Sequence, residues 1–160
     1  MARQSKATRF LRLGKGIKNL REGKRRPMPG IHVDGSISTK PSVPCPPLPE
    51  YKVMELVHKW LLSHGCVVDR LNNGAGRLML NNGQLSQYQV FGIRGGGDWI
   101  GWLPNGRHLE IECKKGTGGK LSRVQIKRMK KCRDSNAVYL VIHGVPELEN
   151  KLLPILENLS

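Results

Sequence analysis

The feature that most constrains the fold is a predicted β-hairpin in the middle of the chain. A short apolar run, residues 99–103, is followed by Pro104-Asn105-Gly106 and then by a second strand-like run, residues 107–114. Asn-Gly between two such runs is a strong signal for a tight turn that joins antiparallel strands. We therefore expect the rest of the chain to be organised around this hairpin.

The second run of the hairpin alternates between apolar and charged positions. Its apolar positions are Leu109, Ile111 and Cys113. The positions between them are Glu110, Glu112 and Lys114. Because side chains alternate along a strand with a period of two, Glu112 and Lys114 should point to the same side. Asp98 opens the neighbouring strand, so the hairpin could bring its carboxylate to the same patch.

Two carboxylates beside an ammonium suit metal-assisted chemistry on a phosphate. Mg²⁺ prefers carboxylates, waters and phosphate oxygens as ligands, and a bound metal lowers the pKa of a water. The pattern predicts Mg²⁺ or Mn²⁺ on Asp98 and Glu112, with Lys114 orienting the water or stabilising charge on the phosphate. Each piece also has an ordinary interpretation, since Asp after glycines is common in turns and Glu-x-Lys is common on solvated strands.

The order of Asp, hairpin and Glu-x-Lys resembles the PD-(D/E)XK nuclease superfamily. Gly97-Asp98, Glu112-Cys113-Lys114 and Leu121-Ser122-x-x-Gln125 are similar to its VRR-NUC branch, the virus-type replication and repair nucleases. The likeness covers roughly residues 50–145. Gly97 stands where many relatives carry Pro, and a glycine leaves the backbone free to turn there.

The resemblance implies a restriction-endonuclease-like core and further site residues. It implies the carbonyl of Cys113 as a metal ligand, Gln125 as a group that positions the nucleophile or the phosphate, and an auxiliary Glu on the first helix. Glu50 lies at the edge of that helix's apolar stripe and Glu55 almost opposite it, so Glu50 is better placed. The other interpretation of Glu50 is a carboxylate that complements the helix dipole.

The order of predicted elements gives the fold class independently of the resemblance. Helix, strand, hairpin, helix, strand and helix follow one another from residue 50 to residue 160, which predicts an α/β domain with a mixed central sheet flanked by helices. The last helix should start near Pro146 and be interrupted or kinked at Pro154. Five prolines in residues 41–49 predict a semi-rigid spacer before this domain.

Charge indicates a polyanionic partner, with nucleic acid first and an anionic membrane second. The chain carries 27 Lys and Arg against 12 Asp and Glu, a formal charge of +15. Eleven of the basic residues lie in residues 1–40, which predicts a basic arm, mostly disordered when free, that orders on a phosphate backbone through Arg25 and Arg26. A solubilising tail and a mitochondrial transit peptide are the alternatives.

Other residues near the predicted site are candidates for phosphate contacts. They are Asn73, Arg77, Arg94, Lys115 and Lys120. The alternative is that Asn73 only makes a turn and that the basic side chains are ordinary surface residues.

These observations predict a metal-dependent DNA endonuclease that acts on branched or junction DNA in replication, recombination or repair, as a possible homodimer. The alternatives are a non-catalytic nucleic-acid-binding protein on a nuclease-like fold and a structural component of an RNA-protein particle. Four cysteines without metal-ligand spacing and the absence of a long apolar run favour an intracellular protein with no membrane segment. The cytoplasm of a bacterial or phage-infected cell is preferred to an organelle.

Overall fold

The computed structural model describes residues 31, 32 and 34–158. Most of the predicted basic arm, including Arg25 and Arg26, lies outside the described residues. Three helices are described: α1 (Glu50–Ser63), α2 (Arg123–Asp134) and α3 (Val145–Glu157). The strands are β1 (Ile37–Thr39), β2 (Val67–Arg70), β3 (Gly74–Gly76), β4 (Gln89–Phe91), β5 (Trp99–Trp102), β6 (His108–Cys113), β7 (Gly119–Leu121) and β8 (Val138–Ile142).

The central sheet has four strands in the order β2-β5-β6-β8. The predicted hairpin is confirmed, since β5 and β6 pair antiparallel with Trp99 opposite Ile111 and Trp102 opposite His108. Strand β2 pairs antiparallel with β5, whereas β8 pairs parallel with β6. The connection between the two parallel strands passes through α2. The chain is therefore an α/β protein with a mixed central sheet, as its order of elements predicts.

The helices cover the two faces of the sheet unequally. Helices α1 and α3 pack on the face that carries Leu109 and Ile111, both of which are fully buried. Burying each such side chain contributes about 2 kcal/mol to folding. Helix α2 covers the other face through a smaller cluster around Cys132 and Tyr139. The charged face of β6 thus lies on the α2 side, next to a helix with a single fully packed residue, Cys132.

The segment before α1 packs on the domain. Strand β1 pairs antiparallel with β7, and the Ser42 N–H and hydroxyl both donate to Glu147 Oε1 at 2.9 Å. Gly116 donates its N–H to the Leu48 carbonyl at 2.9 Å, using an acceptor that the extended proline-rich chain leaves free. The spacer predicted at residues 41–49 and the last residues of the predicted arm therefore pack on the domain, whose start the sequence predicts at Glu50.

Two further segments differ from or extend what the sequence predicts. The sequence favours an interruption or a kink of the last helix at Pro154, but α3 continues past this residue to Glu157. Between β2 and β5, strands β3 and β4 form a separate two-stranded ribbon, in which the side chains of Val90 and Phe91 are exposed. Tyr88, directly before β4, is also 66% exposed, so this ribbon contributes little to the core.

Candidate functional site

The β5–β6 hairpin places Asp98 directly against the end of β6. The Cys113 N–H donates to Asp98 Oδ2 at 2.7 Å, which draws the carboxylate over the strand segment that carries Glu112 and Lys114. A Cβ atom added at Gly97 would lie 2.7 Å from the Ile111 carbonyl carbon and oxygen. Glycine is therefore required at 97 for the backbone to approach β6 closely enough for this hydrogen bond.

Glu112 is the centre of the polar contacts in this region. Its side chain is buried, with the residue only 3% exposed, and Lys114 Nζ donates to its Oε1 atom. Gln125 Nε2 donates to the same oxygen at 2.6 Å. The Gln125 amide is fixed by a capping box at the start of α2, because its Oε1 accepts from the Ser122 N–H at 2.8 Å. The predicted Glu112, Lys114 and Gln125 are thus brought together.

Burial and the neighbouring negative charges both raise the pKa of the Glu112 carboxyl group. Burial raises the pKa of Glu112 to about 7, and repulsion from Asp98 adds to the effect of burial. The hydrogen bond from Lys114 opposes this rise in pKa without cancelling it, and Glu50 contributes further repulsion. The repulsion of Glu112 by Asp98 and Glu50 is the part of this shift that a bound cation would relieve.

The structure also separates the two candidate glutamates on α1. Glu50 is close enough to raise the pKa values of both Glu112 and Lys114 through its charge. Glu55 lies on the exposed side of α1, where hydrogen bonds from Lys52 and Lys59 at 2.8 and 2.9 Å lower its pKa to about 2. Glu50 is therefore the α1 carboxylate on the side of the site.

A cleft of about 280 Å³ opens in front of these groups. It is lined by Arg70, Leu71, Asn72, Asn73, Gly96, Asp98, Glu112 and Gln125. Asn73 donates from Nδ2 to the Gly96 carbonyl at 3.3 Å, so the predicted Asn73 joins the segment after β2 to the loop before β5. Arg70, which the sequence analysis did not single out, also lines this cleft.

The other predicted phosphate-binding residues do not line this cleft. Arg77, Lys115 and Lys120 are exposed elsewhere, and Arg94 lines a separate groove beside α2. The thiol of Cys113 is fully buried in the core, and burial raises its pKa well above the ordinary value. Only the backbone carbonyl of Cys113 could therefore serve a metal.

The oxygen donors of the cleft fit a hard divalent cation. Carboxylates at Asp98 and Glu112, with Glu50 nearby, are the donors that Mg²⁺ and Mn²⁺ prefer, and the cleft has room for the waters that Mg²⁺ retains. The negative charge of these carboxylates contrasts with the formal charge of +15 on the whole chain.

A second polar cluster lies on the same face of β6, and the sequence reasoning did not single it out. Glu110 is fully buried and accepts from Arg128 Nε at 2.9 Å, His108 Nε2 at 2.8 Å and the Gly97 N–H at 3.3 Å. Burial alone would raise the pKa of Glu110, but the hydrogen bonds from Arg128 and His108 together outweigh it and hold the pKa below its usual value.

Ligand atoms of His108, Glu110 and Cys132 lie within 4.8 Å of one another, a spacing that could hold a metal ion. The Arg128 guanidinium contacts both carboxylate oxygens and already supplies the positive charge at this position. A cation would have to displace it, so the donor set does not favour a metal there. The signal that could have revealed Glu110 is its period-two alignment with Glu112, whereas its partner Arg128 is brought close only by the packing of α2.

Comparisons of the chain with protein-family models, with curated proteins and with solved structures find no match.

Proposed function

We propose that the protein is a metal-dependent DNA nuclease that hydrolyses phosphodiester bonds in the cleft of Asp98 and Glu112. The observation that carries the proposal is the shared position of these two carboxylates and the Lys114 ammonium, with the pKa of Glu112 raised to about 7. Two neighbouring carboxylates that share one cleft, with the Lys114 ammonium paired to Glu112, in a strongly basic chain, are the electrostatic arrangement expected of a cation site that receives a polyanion.

The order of elements gives further support. With the short strands outside the central sheet left aside, the chain runs through one helix, three antiparallel strands, a second helix and a parallel strand, namely α1, β2, β5, β6, α2 and β8. This order is compatible with the restriction-endonuclease-like core that the resemblance to the VRR-NUC branch implies. In that interpretation the acidic residues sit on the central hairpin, as Asp98 and Glu112 do here.

The residues of the chain have separate roles in the proposed reaction. When bound by Asp98 and Glu112, with the Cys113 carbonyl and Glu50 as further candidates, Mg²⁺ or Mn²⁺ would polarise the phosphate and acidify a water. Burial disfavours the charged form of Lys114, but its hydrogen bond to Glu112 outweighs burial and raises its pKa. Lys114 is therefore an ammonium at neutral pH, which can donate to the attacking water or to the phosphate oxygens but cannot accept a proton.

Gln125 acts as a positioning residue in this proposal. Its amide NH₂ donates to Glu112 while its oxygen is held by Ser122, so it fixes the carboxylate orientation. Arg70 and Asn73 line the same cleft and can contact the phosphates on either side of the bond that is cut.

The substrate and setting follow from the same proposal. Branched or junction DNA, with recognition by shape, is the proposed substrate, and a homodimer acting in replication, recombination or repair in the cytoplasm of a bacterial or phage-infected cell is the proposed setting. Within the described residues, none of the helices has both the length and the apolar character needed to cross a bilayer.

Lys114→Ala is the variant that tests the proposed chemistry. It should lower the rate of DNA cleavage in Mg²⁺ by about a hundredfold or more, because it removes the ammonium beside Glu112 to which the proposal assigns the attacking water or the phosphate oxygens. Lys115→Ala is the matched control, since Lys115 is the exposed neighbour of Lys114, whereas Lys114 is buried and pairs with Glu112. The measurement is cleavage of linear, flapped and four-way DNA by purified protein in Mg²⁺, in Mn²⁺ and in EDTA.

Equal cleavage by the two lysine variants would assign the activity to another site or to a contaminant. A wild-type protein that binds these DNAs but cuts none of them in either metal would leave the alternative, a non-catalytic nucleic-acid-binding protein.

A further inference from the structure

A groove of larger volume than the cleft of Asp98 and Glu112, which we call the carboxylate cleft, lies beside α2. It has a volume of about 570 Å³ and is lined by Ile93, Arg94, Arg123, Val124, Lys127, Arg128 and Lys131. We call it the α2 groove. Five of the seven lining residues are basic, and none is acidic, so the groove attracts anions. The other two lining residues, Ile93 and Val124, are apolar and carry no charge that would repel an anion.

Most of the positive charge in the α2 groove is available to a ligand. Arg128 is engaged by Glu110, which accepts from its Nε at 2.9 and 3.2 Å. For the other four, which are Arg94, Arg123, Lys127 and Lys131, the described part of the chain supplies no acidic partner within ion-pair distance. Four uncompensated cations at one concave surface repel one another, and a polyanion would relieve this repulsion.

The α2 groove and the carboxylate cleft are neighbours in one loop and one helix. Gly96 and Gln125 line the cleft, whereas Arg94, two residues before Gly96, and Val124, the residue before Gln125, line the groove. Gly95 joins the two, because a Cβ atom added there would lie 2.3 Å from the Val124 carbonyl oxygen. The loop before β5 therefore packs directly on the first turn of α2, with the cleft on one side of this contact and the groove on the other.

The length of the basic row matches a stretch of nucleic-acid backbone. Arg123, Lys127 and Lys131 are spaced four residues apart and follow one side of α2. At 1.5 Å per residue the row spans about 12 Å. One strand of B-DNA carries a phosphate every 3.4 Å along the helix axis, so about three or four phosphates fit beside this row.

We propose that the α2 groove binds the phosphate backbone of one DNA strand as it leaves the carboxylate cleft. This inference rests on the proposed nuclease function for its substrate, and it adds the position of the substrate strand on the protein. The strand is held by four basic side chains, Arg94, Arg123, Lys127 and Lys131. Arg128 remains paired with Glu110 and has a structural role. The strand on the groove side is therefore gripped through its backbone, without contacts that distinguish bases.

The test compares two double variants that remove the same charge from the same helix. Lys127→Ala with Lys131→Ala removes two of the basic side chains that line the α2 groove. Lys130→Ala with Arg133→Ala removes two exposed charges that do not line it. Fluorescence anisotropy with a labelled DNA flap is measured in EDTA, so that binding is separated from cleavage, over a series of NaCl concentrations. A labelled RNA of the same sequence forms a second arm.

The groove variant should bind DNA at least tenfold more weakly than wild type at about 100 mM salt, and its log–log salt slope should fall by about 2. The control variant should lose less than about threefold, with a slope change below about 1. Equal losses in the two variants would overturn the inference, because binding would then depend on total charge alone. Tighter binding of the RNA than of the DNA would overturn the assignment of the strand as DNA.

Failure of this inference and failure of the proposed nuclease are distinguishable. Loss of binding specific to the groove variant, in a protein that cuts no DNA in Mg²⁺ or Mn²⁺, would uphold the groove and reject the nuclease. Metal-dependent cleavage that both double variants retain at the wild-type rate and affinity would uphold the nuclease and reject the groove.

Discussion

Replacement of Asp98 by Asn is expected to lower the rate of Mg²⁺-dependent DNA cleavage by about a thousandfold. The variant keeps the size of the side chain and an acceptor for the Cys113 N–H, but it removes one of two charged ligands from the cleft. Loss of about 4 kcal/mol of stabilisation by the metal in the transition state corresponds to this factor. Initial rates on a flapped DNA, measured at saturating protein, are the appropriate quantity.

Asp69→Asn is the matched control for Asp98→Asn. Asp69 undergoes the same chemical change on β2, where it is exposed and outside the cleft, so the cleavage rate should stay within about twofold of wild type. Thermal melting of both variants should remain near that of wild type. A variant of Asp98 that retains most of its activity would remove this residue from the metal site.

Replacement of Arg128 by Met is expected to lower the free energy of unfolding by about 3–5 kcal/mol. The change retains an unbranched apolar stem but leaves Glu110, which is fully buried, without its cationic partner. Breaking a buried ion pair from one side has this cost because the remaining charge is uncompensated. Chemical denaturation followed by circular dichroism gives the measurement, with Arg133→Met as the control on the exposed side of α2.

A double variant separates the ion pair from the packing of the arginine stem. Glu110→Gln together with Arg128→Met removes both charges, so it should recover a large part of the stability that Arg128→Met loses. Should Arg128→Met and Arg133→Met prove equally stable, the buried pair would have no structural role. The α2 groove would then have a fifth cation available to a ligand.

The hairpin and its two faces could be predicted because both depend on local patterns. The Asn-Gly turn fixed the pairing of β5 with β6, and the alternation of residues 108–113 fixed which side chains enter the core. The positions of Glu112 and Lys114 on one face follow from that period alone. Gln125 near Glu112 was expected only from the resemblance, because no local pattern relates a helix start to a strand.

The second polar cluster and the packing of the N-terminal segment depend on contacts between distant parts of the chain. Arg128 looks like one of several basic residues on α2, and only the packing of that helix on β6 distinguishes it from Lys127 and Arg133. In the same way, five prolines in residues 41–49 indicate an extended chain but not the surface on which it lies. That surface is shown by the hydrogen bond that Ser42 donates to Glu147 and by the one that Gly116 donates to Leu48.

Titration of the protein with Mn²⁺ by isothermal calorimetry, in the absence of DNA, tests most directly whether Asp98 and Glu112 form a cation site. We expect one strong site per chain, weakened at least about tenfold in Asp98→Asn. The affinity should be unchanged in Glu55→Gln, which alters an exposed carboxylate on the far side of α1.

The same titration should report the raised pKa of Glu112 when it is repeated in buffers of different ionisation enthalpy. With a pKa of about 7, Glu112 is about nine-tenths protonated at pH 6 and about one-tenth protonated at pH 8. Binding should therefore release close to one proton per Mn²⁺ at pH 6 and almost none at pH 8, and the apparent affinity should rise with pH until it levels off near about pH 8. Equal affinity of wild type and Asp98→Asn, with no proton release at pH 6, would rule out a cation site at Asp98 and Glu112.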